Sequence, residues 1–189
     1  MKHVLGVIGS PRRNGNTHIL VSRILEGAAE EGAEVERLFL GDLEILECDG
    51  CHACWKGNPC SKVDDMAGVY VRIAASDALV LGTPVYWYGP TALMKGFIDR
   101  FVYFNCPENR DQIRGKRAAI AVPFEEEAEG TAELVVAFFE KSLEYLEMEL
   151  VGKVLVPGVG RKGEIRGRED KLAEGYELGK RLARDCVNR

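Results

Sequence analysis

The sequence has 189 residues, with 25 Lys and Arg against 30 Asp and Glu, a formal net charge of −5. That balance argues against general nucleic-acid binding. The longest uninterrupted apolar run, Leu134 to Phe139, is six residues against roughly 18 for a membrane span, so neither nucleic acid nor membrane is expected as a partner. With 46% hydrophobic and 29% charged residues, the composition is that of a globular chain able to bury about 70% of its unfolded surface. A single domain over 1–189 is expected. The start, Met1-Lys2-His3 and then Val4-Leu5-Gly6-Val7-Ile8, is too short for a signal peptide and has no small-residue cleavage site, which points to a cytoplasmic, thiol-reducing setting.

In chain order, Val4 to Ile8 is a short apolar run bounded by Gly and Pro, as in a buried strand. After a loop from Gly9 to Asn16, Leu20, Val21, Ile24, Leu25 and Ala28 recur at helical spacing, and the helix should end near Glu31-Gly32. Glu34 to Leu40 reads as a strand. Residues 41–62 have no sustained period and form a cysteine-rich loop. Ser61-x-x-Asp64 is a helix-start signature, followed by Met66, Val69, Tyr70 and Ile73 on one helical face. Ala78 to Thr83 is a strand stopped by Pro84. Leu93, Phe97, Ile98 and Phe101 predict a third helix, and Ala118 to Val122 a fourth strand. Leu134, Val135, Phe138, Phe139, Leu143 and Leu146 predict a fourth helix. Val151 to Val156 gives a fifth strand, and Lys171 to about Val187 a closing helix. Five strands alternating with five helices predict an α/β fold, a parallel sheet with helices on both faces.

The loop Gly9-Ser10-Pro11-Arg12-Arg13-Asn14-Gly15-Asn16-Thr17 joins a strand to a helix N-terminus, where free N–H groups and the helix dipole favour an anion. Ser10, Asn16 and Thr17 add donors, and Arg12 or Arg13 can add charge. The loop has neither the Gly-Lys-Ser/Thr of a P-loop nor G-x-G-x-x-G. As a plain polar turn, it would use Asn16 or Thr17 as the helix N-cap. Beyond the third strand, Pro84-Val85-Tyr86-Trp87-Tyr88 puts aromatics where ligands of open parallel sheets sit. They can flank a planar ring or form an interface patch. An apolar wall beside a phosphate cradle suits FMN.

Cys48, Cys51, Cys54 and Cys60 fall within thirteen residues, and only Cys106 and Cys186 lie elsewhere. In a cytosolic chain this clustering indicates metal or redox chemistry rather than a disulfide framework. Thiolates are the soft ligands that hold iron-sulfur clusters, and Gly50 and Gly57-Asn58-Pro59 supply tight turns. Zinc is the metal alternative, although its four-cysteine sites more often use two separated pairs. A third reading is a thiol-bearing segment that binds nothing stably.

Together, Gly-Ser-Pro-Arg-x-x-Gly-Asn-Thr, Val63-Asp64-Asp65-Met66, Thr83-Pro84-Val85-Tyr86 and Leu93-Met94-Lys95-Gly96-Phe97-Ile98-Asp99-Arg100 resemble the flavodoxin-like NAD(P)H-dependent FMN reductase superfamily. Within it, Cys48-x-x-Cys51-x-x-Cys54-x5-Cys60 looks like the motif of iron-sulfur flavoproteins. The resemblance covers roughly the first 105 residues strongly and the remainder by element order. It implies a flavodoxin-like three-layer sandwich of strand order 2-1-3-4-5. It also implies phosphate contacts from Ser10, Arg12, Asn16 and Thr17, and a flavin-facing loop at Pro84, Val85, Tyr86, Trp87 and Tyr88. A [4Fe–4S] cluster on Cys48, Cys51, Cys54 and Cys60 would lie beside the flavin of a neighbouring subunit in a homodimer or homotetramer.

The implied activity is electron transfer between FMN and the cluster, with NAD(P)H or a ferredoxin-like protein as redox partner. A cluster-free NAD(P)H-dependent FMN or quinone reductase and a non-catalytic flavin- or metal-binding module are the alternatives. One departure from the family is Pro123-Phe124-Glu125-Glu126-Glu127, where a Gly, Ser and Asn-rich flavin loop is expected. Carboxylates beside a flavin would disfavour its anionic reduced form. The simpler expectation places them in or just before the first turn of the fourth helix, complementing its dipole.

Other residues invite smaller expectations. Asp99-Arg100 would make an intrahelical or capping ion pair, and Arg161 to Lys171 a solvated loop. His18 would either reach an anion at the first loop or be an exposed first-turn residue, and His52 would be exposed unless it replaced a lost thiol as a metal ligand; His3 would have no role, and Cys106 and Cys186 would be bystanders.

Overall fold

The computed structural model describes residues 1–184. Strands β1 (His3–Ile8), β2 (Glu34–Phe39), β3 (Ala78–Gly82), β4 (Arg117–Pro123) and β5 (Glu149–Val156) form one parallel sheet of order β2-β1-β3-β4-β5. This is the flavodoxin-like arrangement expected. Successive side chains of a strand point to opposite faces, so each central strand feeds two cores. Leu5, Val7, Leu79, Leu81, Ile120 and Val122 pack under α2 (Met66–Ala75), α3 (Ala92–Asp99), α4 (Val102–Asn105) and α5 (Glu133–Tyr145). Val4, Ile8, Val80, Ala119 and Ala121 pack under α1 (Asn16–Glu30) and α6 (Glu169–Ala183). The last two helices meet at backbone distance: a Cβ on Gly179 would stand 1.8 Å from the Ile24 carbonyl oxygen.

Several element boundaries differ from expectation. β2 stops at Phe39, and Leu40 opens a 3-10 turn to Asp42. Ser61 does not start the second helix: α2 begins at Met66, whose N–H is taken by Asp64 Oδ1 at 3.1 Å. The third helix breaks after Asp99, where tight bonds from Arg100 N to Phe97 O and from Phe101 N to Ile98 O end the α-helical ladder. α4 is the short continuation beyond this break. β5 starts at Glu149, and its pairing with β4 is irregular between Ala118 and Ala119. The expected end of the closing helix near Val187 lies outside the described residues, as does Cys186. Among the described residues no helix is long and apolar enough to cross a membrane.

Candidate flavin cleft and cysteine pocket

The loops that follow β1, β3, β4 and β5 converge beyond the carboxyl ends of the strands. Ser10, Arg12, Asn16, Thr17, Pro84, Val85 and Tyr86 line one cleft together with Pro123, Phe124, Glu125, Val159 and Gly160. Its enclosed volume is about 90 Å³, well below the roughly 300 Å³ at which pockets for drug-sized ligands begin. That volume suits a phosphate-sized group.

The cradle end is built from backbone. Gly9 N bonds to Gly82 O at 2.8 Å, anchoring the loop on β3. α1 is capped by Gly15 in extended geometry, with no side-chain acceptor for its first amides. Those amides carry the positive end of the helix dipole and fit an anion. Ser10 is buried and accepts the Arg12 N–H at 3.2 Å. Arg12 supplies the charge at the cleft, its Nη1 resting on Gly160 O at 3.0 Å. Arg13 turns away to pair with Asp42 over the Phe39 ring.

One expectation for this loop fails. Neither Asn16 nor Thr17 is the N-cap, because Gly15 takes that position. The Asn16 side-chain amide has protein partners in this structure. It donates to Val159 O and Arg161 O, both at 2.9 Å, and accepts from Ile165 N at 3.3 Å. Arg161 to Lys171 is therefore not merely a solvated loop: it includes the fully buried Ile165 and is clamped to the start of α1. His18 is half-buried rather than exposed. Its Nδ1 accepts the Asn14 N–H, and burial, then Arg37 and Arg13, hold its pKa below the ordinary value.

The aromatic loop divides between cleft and solvent. Pro84, Val85 and Tyr86 line the cleft, whereas Trp87 and Tyr88 do not. Tyr86 and Gly89 exchange hydrogen bonds of 2.9 and 3.0 Å across a two-residue turn. Trp87 (φ 50°) and Tyr88 (φ 60°) occupy left-handed positions there, which normally take Asn-Gly. Trp87 is 96% exposed. Thr91, unmarked in the sequence reading, fixes this loop: its Oγ1 accepts Met94 N at the start of α3 and donates to Gly9 O.

The third wall corrects the expectation for the carboxylates. Glu125, Glu126 and Glu127 lie well before α5, which opens at Glu133. Glu125 lines the cleft and presses on Gly160, where a Cβ would come within 2.8 Å of its Cδ. The loop bonds from Val159 N to Phe124 O and from Gly158 N to Glu126 O hold it against the segment after β5. Glu125, Val159 and Gly160 carry no motif. Only their place after parallel strands marks them.

The four cysteines come together elsewhere. Cys48, Cys51, Cys54 and Cys60 all line one small cavity of about 20 Å³ over Tyr70, Arg100, Val102 and Tyr103. Cys54 is buried in a 3-10 turn closed by Gly57 (φ 74°), and burial, then nearby Cys106, raises its thiol pKa. Cys51 is exposed, with its Sγ 3.0 Å from Ser61 Oγ. His52 is exposed, as expected, and Cys106 is fully buried. These five described cysteines are free thiols. Among the described residues no group of three or more His, Cys, Asp or Glu is arranged to hold a metal ion. Four cysteines are the soft donor type a thiolate-ligated cluster takes, and all four border one cavity on a largely irregular loop.

Both ends of this loop are fastened. Glu44 N donates to Asp65 Oδ2 at 2.8 Å, and Leu46 N to Asp64 Oδ2 at 2.9 Å. The expected Asp99–Arg100 pair is absent: Asp99 binds Lys95 at 2.6 Å, while the buried Arg100 pairs with buried Asp64. Burial works against both charges. Their mutual hydrogen bonding wins, holding the Asp64 pKa below and the Arg100 pKa above the ordinary values. The cysteine cavity and the cleft share no lining residue.

A family model described as NADPH-dependent FMN reductase matches residues 2–157. The chain is 40% identical over 97 residues to an iron-sulfur flavoprotein of Methanocaldococcus jannaschii, covering 51% of this chain and 50% of that one, so this match spans only half of the relative's length. It is 32% identical over 179 residues to an iron-sulfur flavoprotein of Archaeoglobus fulgidus, covering 95% of this chain and 78% of the relative. The NAD(P)H:quinone oxidoreductase of Methanothermobacter marburgensis superposes with a TM-score of 0.78 at 21% identity, over 99% of this chain and 98% of that one. That likeness concerns the fold.

Proposed function

This chain belongs to the NADPH-dependent FMN reductase family, and from that premise we propose that it is a two-cofactor oxidoreductase passing electrons between FMN and a [4Fe–4S] cluster. The carrying observation is that all four clustered cysteines line a single cavity, in a chain with a separate cleft that opens on a helix N-terminus without a side-chain cap. FMN when bound exchanges one or two electrons and a cluster one, so the pair couples hydride donors to single-electron acceptors.

The chain's own residues bind and orient. In this reading Ser10, Arg12, Thr17 and the α1 amides hold the phosphate, and Pro84, Val85 and Tyr86 support the ring edge, with Trp87 and Tyr88 beyond it. Asn16 acts by bracing the 159–165 segment. Cys48, Cys51, Cys54 and Cys60 hold the cluster. The separation of the two cavities favours a homodimer or homotetramer in which one subunit's cysteine loop faces another's flavin. NAD(P)H or a ferredoxin-like protein, in a thiol-reducing cytoplasm, is the redox partner.

A second reading, a cluster-free NAD(P)H-dependent FMN or quinone reductase, is favoured by the lack of a metal-holding group among the described residues. Anaerobic reduction by NAD(P)H or reduced ferredoxin, followed by flavin absorbance and electron paramagnetic resonance, separates the two. The two-cofactor reading expects flavin bleaching together with a reduced-cluster signal. Stoichiometric NAD(P)H oxidation by an iron-free protein would select the second.

A further inference from the structure

The guanidinium of Arg100 is 1% exposed and makes four contacts with three residues. It forms two contacts with the Asp64 carboxylate, one of them 3.2 Å from Nη2 to Oδ1. Nη1 donates to Leu46 O at 2.8 Å, and Nη2 lies 3.3 Å from Cys60 Sγ. Leu46 stands just before Cys48, and Asp64 just after Cys60. One buried ion pair therefore ties both ends of the segment that carries all four cysteines. Its positive member contacts a cysteine sulfur, and its negative member faces backbone N–H groups of Leu46 and Met66.

We propose that Arg100 is a positioning residue of the cysteine loop that also raises the reduction potential of a cluster held there, through its hydrogen bond to the Cys60 sulfur. The proposal rests on the two-cofactor reading above. Reduction adds negative charge to a set of thiolates. A cationic donor on one sulfur stabilises that charge, most strongly where water is excluded. Asp64 offsets the cation in net charge but stands behind it, so the pair turns its positive end toward the sulfur.

The test is a redox titration, monitored by electron paramagnetic resonance, of anaerobically reconstituted wild type, Arg100→Gln, Arg100→Lys and Asp64→Asn. Arg100→Gln removes positive charge and should lower the cluster potential. Asp64→Asn removes negative charge while keeping an acceptor, and should raise it. Each shift should correspond to about tenfold or more in the reduction equilibrium, about 59 mV for one electron. Arg100→Lys keeps the charge but not the fork, and should lie between wild type and Arg100→Gln. The FMN potential should stay unchanged in all four proteins.

A merely structural clamp would be weakened by both charge-removing substitutions, shifting the potential in one direction. That result, unmoved potentials, or loss of the cluster from all three variants would overturn the proposal. If Arg100→Gln alone fails to assemble, an upward shift in Asp64→Asn still supports it, and a flat or downward shift overturns it. A wild type that takes up no iron and sulfide would overturn the two-cofactor reading, and this proposal with it.

Discussion

Asn16 and Ile165 are 149 residues apart and joined side chain to backbone: the Asn16 Oδ1 accepts the Ile165 N–H at 3.3 Å while its Nδ2 holds Val159 O and Arg161 O. A residue of the loop after β1 thus shapes the far wall of the cleft. Asn16→Ala should cost about 2 kcal/mol of stability, from bonds worth roughly 0.5–1.5 kcal/mol each, and should weaken FMN binding indirectly. Hydrogen exchange should speed up at residues 159–165 in the variant without flavin. Unchanged exchange there, with weaker FMN binding, would place the amide on the phosphate instead.

The turn at Trp87 and Tyr88 puts two bulky residues at positive φ, a conformation costing roughly 1–2 kcal/mol per residue. Replacing the pair with Asn-Gly should raise the unfolding free energy by at least about 1 kcal/mol. In the proposed site these aromatics lie just beyond the ring edge, so FMN binding should weaken, and electron transfer to or from the partner should slow. Denaturant titration with flavin fluorescence checks the first two, and stopped-flow reduction the third. A loss of stability would show that these aromatics pack more than they protrude.

Burial alone would raise the Asp64 pKa, but bonding from Arg100 and from the Leu46 and Met66 amides holds it below the ordinary value. A carboxyl lowered by folding stabilises the native state above its unfolded pKa, about 3.9. That contribution is lost as pH falls through the folded value. Wild type should therefore lose stability in acid more steeply than Asp64→Asn. Equal slopes below about pH 4 would mean that the pair makes no net contribution.

Since the cysteine cavity and the cleft share no residue, Cys51→Ala should abolish cluster absorption and leave FMN bound. Parallel absorbance and flavin measurements decide this. Loss of both cofactors would make the cysteine loop part of the flavin site.

The parallel sheet was legible because apolar strands alternate with amphipathic helices; its strand order came from the family resemblance. That the residues after β1 gather at one cleft and the four cysteines at one cavity was legible because each set lies close together in sequence. Contacts across sequence were not. Asp64 looked like part of a helix start and Arg100 like a helix end; only the fold brings them together, 36 residues apart. Glu125 resembled a helix-dipole residue because the extra loop before α5 has no periodicity to reveal it. Asn16 looked like a phosphate donor because nothing local to it announces Val159 or Ile165.

The most direct measurement is iron, acid-labile sulfide and flavin quantitation on one anaerobically purified sample. Two cofactors per chain predict about four irons, four sulfides and one FMN. One FMN with no iron or sulfide, even after anaerobic reconstitution, would contradict the cluster and leave a plain flavin reductase.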